Sequence, residues 1–243
     1  MNKYCDFKNR EICFFDSAKL GFPIRGYKAD YEWMIDGVSQ MEKDLRNKQY
    51  NSYCSIAQYN PMPLFPINDM KERWKQFKQW VSVRDLSIDR LDFFIDFDNS
   101  SIKSAFTDAF NARNYLLELI GDQALYLNIY FSGNKGFHLL GKMGESFGAT
   151  PKDKLRKNYE LALMLKPLCP SIDETIYDLA RVRKIIGSAV YSPILGKTRV
   201  ISVDSFEEFD KLEQLIHNKV WSEWEKTPIK RLNKIEITKN ISL

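Results

Sequence analysis

The stretch FFIDFDNSS, residues 93–101, sets Asp96 and Asp98 one residue apart at the end of an apolar run. In a strand, alternate side chains share a face. The two carboxylates therefore project together, roughly 7 Å apart along the chain, while Phe93, Ile95 and Phe97 project the other way. Two like charges that close oppose each other's ionisation unless a cation lies between them. Magnesium takes one or two carboxylates together with substrate phosphate oxygens, so the pair fits a divalent-cation site. It equally fits a solvated strand end, with Asn99 and the two following serines making a turn. A second group lies in SGNKGFHLL, where Ser132, Gly133, Lys135, Gly136 and His138 follow an apolar run closely. Glycines let the backbone approach a ligand and turn its N–H groups toward an anion, and Ser, Lys and His add donors for phosphate oxygens. The same residues also make an ordinary hairpin loop with His138 packed on a core. A third group, within residues 171–204, begins at Asp173 and continues through Arg181, Arg183, Lys184, Ser188 and Lys197. It offers a further carboxylate and cations for phosphate charge, or a solvated loop.

Such residues do chemistry only if rigid elements hold them. LDFFIDFD reads as a strand, and residues 102–120 carry Phe106, Phe110, Tyr115, Leu116 and Leu119 at helical spacing before Gly121 stops them. ALYLNIYFSG alternates as a strand, residues 152–167 read as a helix, and TRVISVD as a strand. SFEE opens a last helix with capping-box spacing from Ser205 to Glu208. The order strand, helix, strand, turn, strand, helix, strand is that of a small sheet covered on one face by helices. Upstream, Tyr31, Met34, Ile35, Val38, Met41 and Leu45 have helical spacing within residues 30–49. YNSYCSIAQYN reads as a strand ended by PMPLFP, and Asn68 as the cap of a helix to about Val81.

Composition sets the outer bounds. The 243 residues, 44% hydrophobic and 14% aromatic, suffice for a sizeable core. No apolar run reaches transmembrane length and the N-terminus MNKYCDFKNREICFF is charged, so the expectation is an intracellular, cytoplasmic chain with no membrane partner. Cys5, Cys13, Cys54 and Cys169 form no CxxC pair, which argues against a disulfide framework and a zinc ribbon. A net charge of +4 permits an acidic partner such as nucleic acid without identifying one.

Taken in order, FFIDFD, FSGNKGFHL and IDETIYDLARVRKIIGS, followed by GKTRVISVD, resemble the three motifs and following strand of the archaeo-eukaryotic primase superfamily, over roughly residues 91–204. The resemblance implies an α+β fold within one catalytic domain spanning residues 1–243. In it an RRM-like palm sheet with flanking helices, residues 89–204, packs against an N-terminal α/β module, residues 1–88, with a C-terminal helix and tail over 205–243. It implies a template-directed nucleotidyltransferase, a DNA primase or primase-polymerase making or extending primers from NTPs or dNTPs on single-stranded DNA. Asp96, Asp98 and Asp173 would hold two divalent cations, Mg²⁺ or Mn²⁺. Ser132, the amides around Gly133 and Gly136, Lys135 and His138 would bind the β- and γ-phosphates. Lys184 would lie near the triphosphate with Arg181 and Arg183 as neighbours, and Ser188 would join the same phosphate-side loop. Template and primer are the implied partners, with a large primase subunit or a helicase as further candidates.

The chain also departs from that pattern. Many relatives have Arg-Arg where Asn134-Lys135 stand, and a histidine where this chain has Ala189, Val190 and Tyr191. Only Cys169 lies between the second and third motifs, so no structural zinc is expected, and Gly196-Lys197-Thr198 lacks the Walker glycine spacing. KERWKQFKQW and NKVWSEWEKTPIKR mix aromatic and basic residues in a way that suits phosphate contacts and base stacking, or plain amphipathic helices. The alternatives are a non-catalytic nucleic-acid-binding module for replication initiation and an end-joining or repair polymerase domain. A nuclease would not need the SGxxGxH turn, and a relaxase would need paired histidines that are missing.

Overall fold

The structure, a computed structural model, describes residues 10–16, 24–27, 50–59, 88–177 and 181–228. The helices expected over residues 30–49 and from Asn68 to Val81, and the tail beyond Pro228, lie outside them. In chain order, β1 (Glu11–Asp16), β2 (Ile24–Tyr27), β3 (Tyr50–Ser55) and β4 (Ala57–Tyr59) precede β5 (Ile88–Leu91) and β6 (Phe93–Asp98). Next come α1 (Ile102–Ile120), β7 (Ala124–Phe131), β8 (Gly136–Met143) and α2 (Pro151–Leu165). The remainder runs β9 (Val182–Lys184), β10 (Ala189–Ser192), β11 (Gly196–Arg199), β12 (Ile201–Ser202), α3 (Phe206–Asn218) and α4 (Trp221–Lys226). The fold is α+β, built on small antiparallel sheets. No helix among the described residues is long and apolar enough to cross a membrane.

The central sheet has the order β12-β7-β8-β6. Its register sets Phe97 opposite Phe137 and Ile95 opposite Leu139 on one face, and Asp96 opposite His138 and Asp98 opposite Gly136 on the other. The first face is the dry one. It is covered by α1, against β6, β7 and β8, and by α2, against β5 and β6. Phe97, Phe106, Phe137 and Phe209 are fully buried there, with Phe106 and Phe209 stacked at 4.6 Å between ring centroids. Burying each such side chain is worth about 1.5–3 kcal/mol, so this face fixes which way β6 turns.

Helix ends follow their local chemistry. Ser101 caps α1 by accepting from the Ser104 amide, and Gly121 ends it at φ 45°. Thr150 and Asp153 close a reciprocal capping box on α2, with Pro151 in its first turn. Ser205 caps α3, but Glu208 reaches past it to accept from the Asp204 amide at 2.7 Å. The buried stripe of α1 runs through Ala105, Phe106, Ala109, Ala112, Leu116 and Ile120, whereas Tyr115 and Leu119 are exposed. A reading weighted toward bulky residues passes over the alanines that let the helix sit close to the sheet.

Three expected strands are each broken in two. Residue 56 separates β3 from β4, residue 92 separates β5 from β6, and residue 200 separates β11 from β12. The first two breaks meet: the Asp92 amide bonds the Ile56 carbonyl at 2.9 Å, and the Ile56 amide bonds the Arg181 carbonyl at 3.0 Å. Each is a change of sheet: at residue 56 the chain leaves a second sheet of order β2-β1-β3-β9 for the two-stranded β4-β5 sheet, and at residue 92 it leaves that pair for the central sheet. Asp92 pins the junction, accepting from Arg10 at 2.9 Å and from Arg183 at 3.3 Å, with all three side chains buried or nearly so. Cys54 and Cys169 are buried free thiols.

Candidate active site

The polar face of the central sheet and β9 of the second sheet enclose a cleft of about 190 Å³. On its floor Asp96 and Asp98 project from β6 beside Phe94, which lies edge-on to His138 at 5.1 Å between ring centroids. Register continues the floor sideways, since His138 pairs with Tyr130 across β7. One end is closed by the turn from Ser132 to Gly136, tightened by the Ser132 amide donating to the Gly136 carbonyl at 2.9 Å. Gly136 permits the closeness of turn and acids, because a Cβ there would lie 2.3 Å from the Phe97 carbonyl oxygen. The opposite wall carries Tyr53, Arg181, Val182 and Lys184. Tyr53 and Lys184 are register partners in β3 and β9, hence on one face of that sheet.

Asp173 arrives from a different part of the chain. A single antiparallel bridge, Phe97 with Ile172, extends the edge of β6. The Asp173 amide then donates to the Asp96 carbonyl at 2.9 Å, and the Asp98 amide to the Ser171 carbonyl at 2.7 Å. Side chains hold this short segment in place: Asp108 accepts the Ser171 amide at 2.8 Å, Asn99 donates to the Ser171 hydroxyl at 3.0 Å, and the Lys166 ammonium bonds the Ile172 carbonyl. Asp173 thus lies beside Asp96, though its carboxylate accepts from the Thr175 amide and hydroxyl at 2.9 and 2.7 Å.

Burial dominates the electrostatics. It pushes Asp96 up to about 7, with Asp98 and Asp173 adding to the rise against the pull of Arg181 and Lys184. It draws Lys184 down to about 8, opposed by Asp96 and Asp98. It holds the His138 imidazole well below its ordinary range, helped by Lys184, Arg183 and Arg181. The 3.7 Å contact between His138 Nε2 and Asp96 is accordingly not a full ion pair. Lys135 and Asp98 do pair, at 3.0 Å, but both are about half exposed and the bond is worth under about 1 kcal/mol.

Comparisons with known proteins add a distant structural likeness. No protein-family model matches the chain, and no curated protein matches it in sequence. Its fold has a distant neighbour among primases. This is the crystal structure of primase RepB', with a TM-score of 0.43 and 11% identity, covering 88% of this chain and 62% of that one. The chain therefore spans less than two thirds of the length of that primase.

Of the residues singled out in the sequence, Asp96, Asp98, Ser132, Lys135, Gly136, His138, Arg181 and Lys184 line the cleft. Arg183 borders it too, but its guanidinium is committed to Asp92. Gly133, at φ 85°, shapes the turn from behind. Ser188 is outside the lining, with its hydroxyl on the Ile185 carbonyl at 2.7 Å. The sequence reading did not single out Tyr53, Phe94, Val182 or Tyr177, although Asn134 was noted as a departure. Tyr177 has a buried hydroxyl without a hydrogen-bond partner, and burial with Asp96 and Asp173 nearby pushes its pKa up. As donors, the three aspartates offer only carboxylate oxygen, the kind a hard divalent cation prefers. No group of three or more His, Cys, Asp or Glu among the described residues converges as a metal site, since Asp98 turns to Lys135 and Asp173 to Thr175.

Proposed function

We propose that this cleft is a nucleotidyl-transfer site and that the chain is a DNA primase or primase-polymerase, adding NTPs or dNTPs to a strand on a single-stranded DNA template. One observation carries the reading: the acid-bearing strand and the phosphate-type turn lie directly across from each other, Asp96 opposite His138 and Asp98 opposite Gly136, beneath a wall bearing Arg181 and Lys184. A carboxylate pair and an anion-binding turn in one cleft match the two ends of a nucleoside triphosphate undergoing in-line attack. The order of β6, α1, β7, β8, α2 and the bridging Ile172 further supports an RRM-like palm, with the segment at Ile172 in the place of its fourth strand.

In this reading Asp96 and Asp98, with Asp173 alongside, would hold Mg²⁺ or Mn²⁺, which would supply charge neutralisation for the reacting phosphate. The chain's own residues do the rest. Lys135, the turn amides and Ser132 grip the outer phosphates, and neutral His138 donates a hydrogen bond without adding charge. Arg181 and Lys184 offset the triphosphate from the opposite wall. No side chain has to carry the proton, so positioning and electrostatics provide the catalysis. Template and primer then approach past the half-exposed end of the cleft at Asp98 and Lys135.

Labelled-nucleotide incorporation on single-stranded DNA, with Mg²⁺ or Mn²⁺, with and without a primer and with each sugar type, is the test. Wild type is expected to incorporate, and folded Asp96→Ala/Asp98→Ala to lose at least about a hundredfold, as expected when oriented charge is removed from a reacting centre. Equal activity in the double variant would remove the acids from catalysis. DNA binding without incorporation by the wild type would favour a non-catalytic initiation module.

A further inference from the structure

The turn at Ser132–Gly136 does not stand alone. Its Gly133 is seated on β10 so closely that a Cβ would lie 2.5 Å from Val190 Cγ2. Val190 and Thr198 are register partners in the β10–β11 hairpin, so both present the same face to the turn. The fully buried Thr198 hydroxyl donates to the Gly133 carbonyl. The Ser192 hydroxyl donates to Asn134 Oδ1 at 2.6 Å and accepts the amides of Ile194 and Leu195 at 3.2 and 3.0 Å. The hairpin is itself anchored: the Tyr191 amide bonds Asn51 Oδ1 at 2.7 Å, and Arg199 bonds the Glu225 carbonyl at 2.9 Å.

Peptide planarity gives these contacts a directional consequence. The Gly133 carbonyl and the Asn134 N–H belong to one trans peptide and point in opposite directions. Holding the carbonyl toward Thr198 therefore aims the Asn134 N–H away from the hairpin, and Asn134 is one of the residues that line the cleft. Val190, Ser192 and Thr198 are themselves outside the cleft lining, so any effect they have on a ligand passes through the turn.

We infer that Thr198, seconded by Ser192, is a positioning residue that orients the Asn134 amide toward the polyphosphate of a bound nucleoside triphosphate. The inference rests on the reading of the turn as a phosphate cradle. Thr198→Val keeps the shape and removes the hydroxyl, while Thr198→Ser keeps the hydroxyl. Calorimetric binding of ATP, AMP and inorganic tripolyphosphate to each purified protein separates the possibilities. Thr198→Val is expected to weaken ATP and tripolyphosphate about tenfold, the worth of one misaligned charge-assisted hydrogen bond. AMP affinity should be unchanged, Thr198→Ser should stay within about threefold of wild type for all ligands, and Ile194→Ser, at the exposed hairpin tip, should match wild type. If wild type binds ATP and tripolyphosphate but Thr198→Val binds them as tightly, the positioning role is wrong while the cradle stands. If wild type binds neither, the cradle itself is wrong and the inference falls with it. Equal weakening toward AMP and ATP, tracking a fall in melting temperature, would reduce Thr198 to a structural contact and overturn the proposal. Should Thr198→Val not fold, Ser192→Ala is read by the same comparison of ATP with AMP.

Discussion

Replacing Asp96 by asparagine exposes the tension between stability and function in the cleft. Burial and the neighbouring acids push Asp96 up to about 7, against an ordinary 3.8 that the unfolded chain retains. The folded state thus binds this proton more tightly than the unfolded one. The resulting stabilisation is complete below about pH 3.8 and is lost as pH rises through about 7, leaving a charged Asp96 at pH 8 that costs up to about 4 kcal/mol. Two features reduce that figure. The Asp96 side chain is 23% exposed and keeps some hydration. Its anion also helps keep Lys184 charged, and Lys184 is already drawn down to about 8. Asp96→Asn is therefore expected to be more stable than wild type by about 2–3 kcal/mol at pH 8, roughly 4–12 °C in melting temperature, with the gap closing toward pH 4. Thermal melts by circular dichroism at pH 4, 6 and 8 in EDTA measure it, and incorporation by the same variant should be lost. Excess Mg²⁺ or Mn²⁺ at pH 8 should narrow the gap by stabilising the folded wild type. A gap that is absent at pH 8, or the same at every pH, would refute the reasoning from burial.

Gly136→Ala drives a Cβ to 2.3 Å from the Phe97 carbonyl oxygen, so β6 must shift. The strain should take about 1–3 kcal/mol from stability and, by displacing the acids, cost about a hundredfold in incorporation. Gly144→Ala, whose Cβ meets nothing nearer than 3.5 Å, should leave both near wild type, and full activity in folded Gly136→Ala would show that the close approach is not needed. Asp92→Ala leaves the Arg10 and Arg183 guanidinium groups buried without their carboxylate, which should destabilise the chain by about 3–5 kcal/mol in urea unfolding. A loss under about 1 kcal/mol would mean that water enters the junction and solvates them.

Where chemistry is written in local spacing, the sequence was readable. The same-face placement of Asp96 and Asp98, the turn at Ser132–Gly136 and the cap at Ser205 all rest on residues within a few positions of each other. The cleft wall was not readable, because β9 is three residues long and cannot display a period. Within it, adjacent residues face opposite ways, so Lys184 reaches the cleft while the Arg183 side chain turns to Asp92. No spacing within RVRK separates those two cations. Tyr53 is in the same position: its strand was expected, but YNSYCS has no apolar-polar contrast to say which of its faces looks into the cleft.

The bridge at Ile172 is the extreme case, a one-residue strand that brings Asp173 beside Asp96 with no pattern of its own. What makes it reproducible lies in β6. A slip of one residue would turn Asp96 and Asp98 into the helix-covered core and Phe97 into the cleft. Phe93, Ile95 and Phe97 are almost wholly buried, and at about 1.5–3 kcal/mol each they oppose that slip by more than the exposed Lys135–Asp98 pair supports either register. The orientation of the acids is therefore set by the apolar residues interleaved with them. A charged residue at Ile95 should abolish the site by loss of fold, even though Ile95 never faces the cleft.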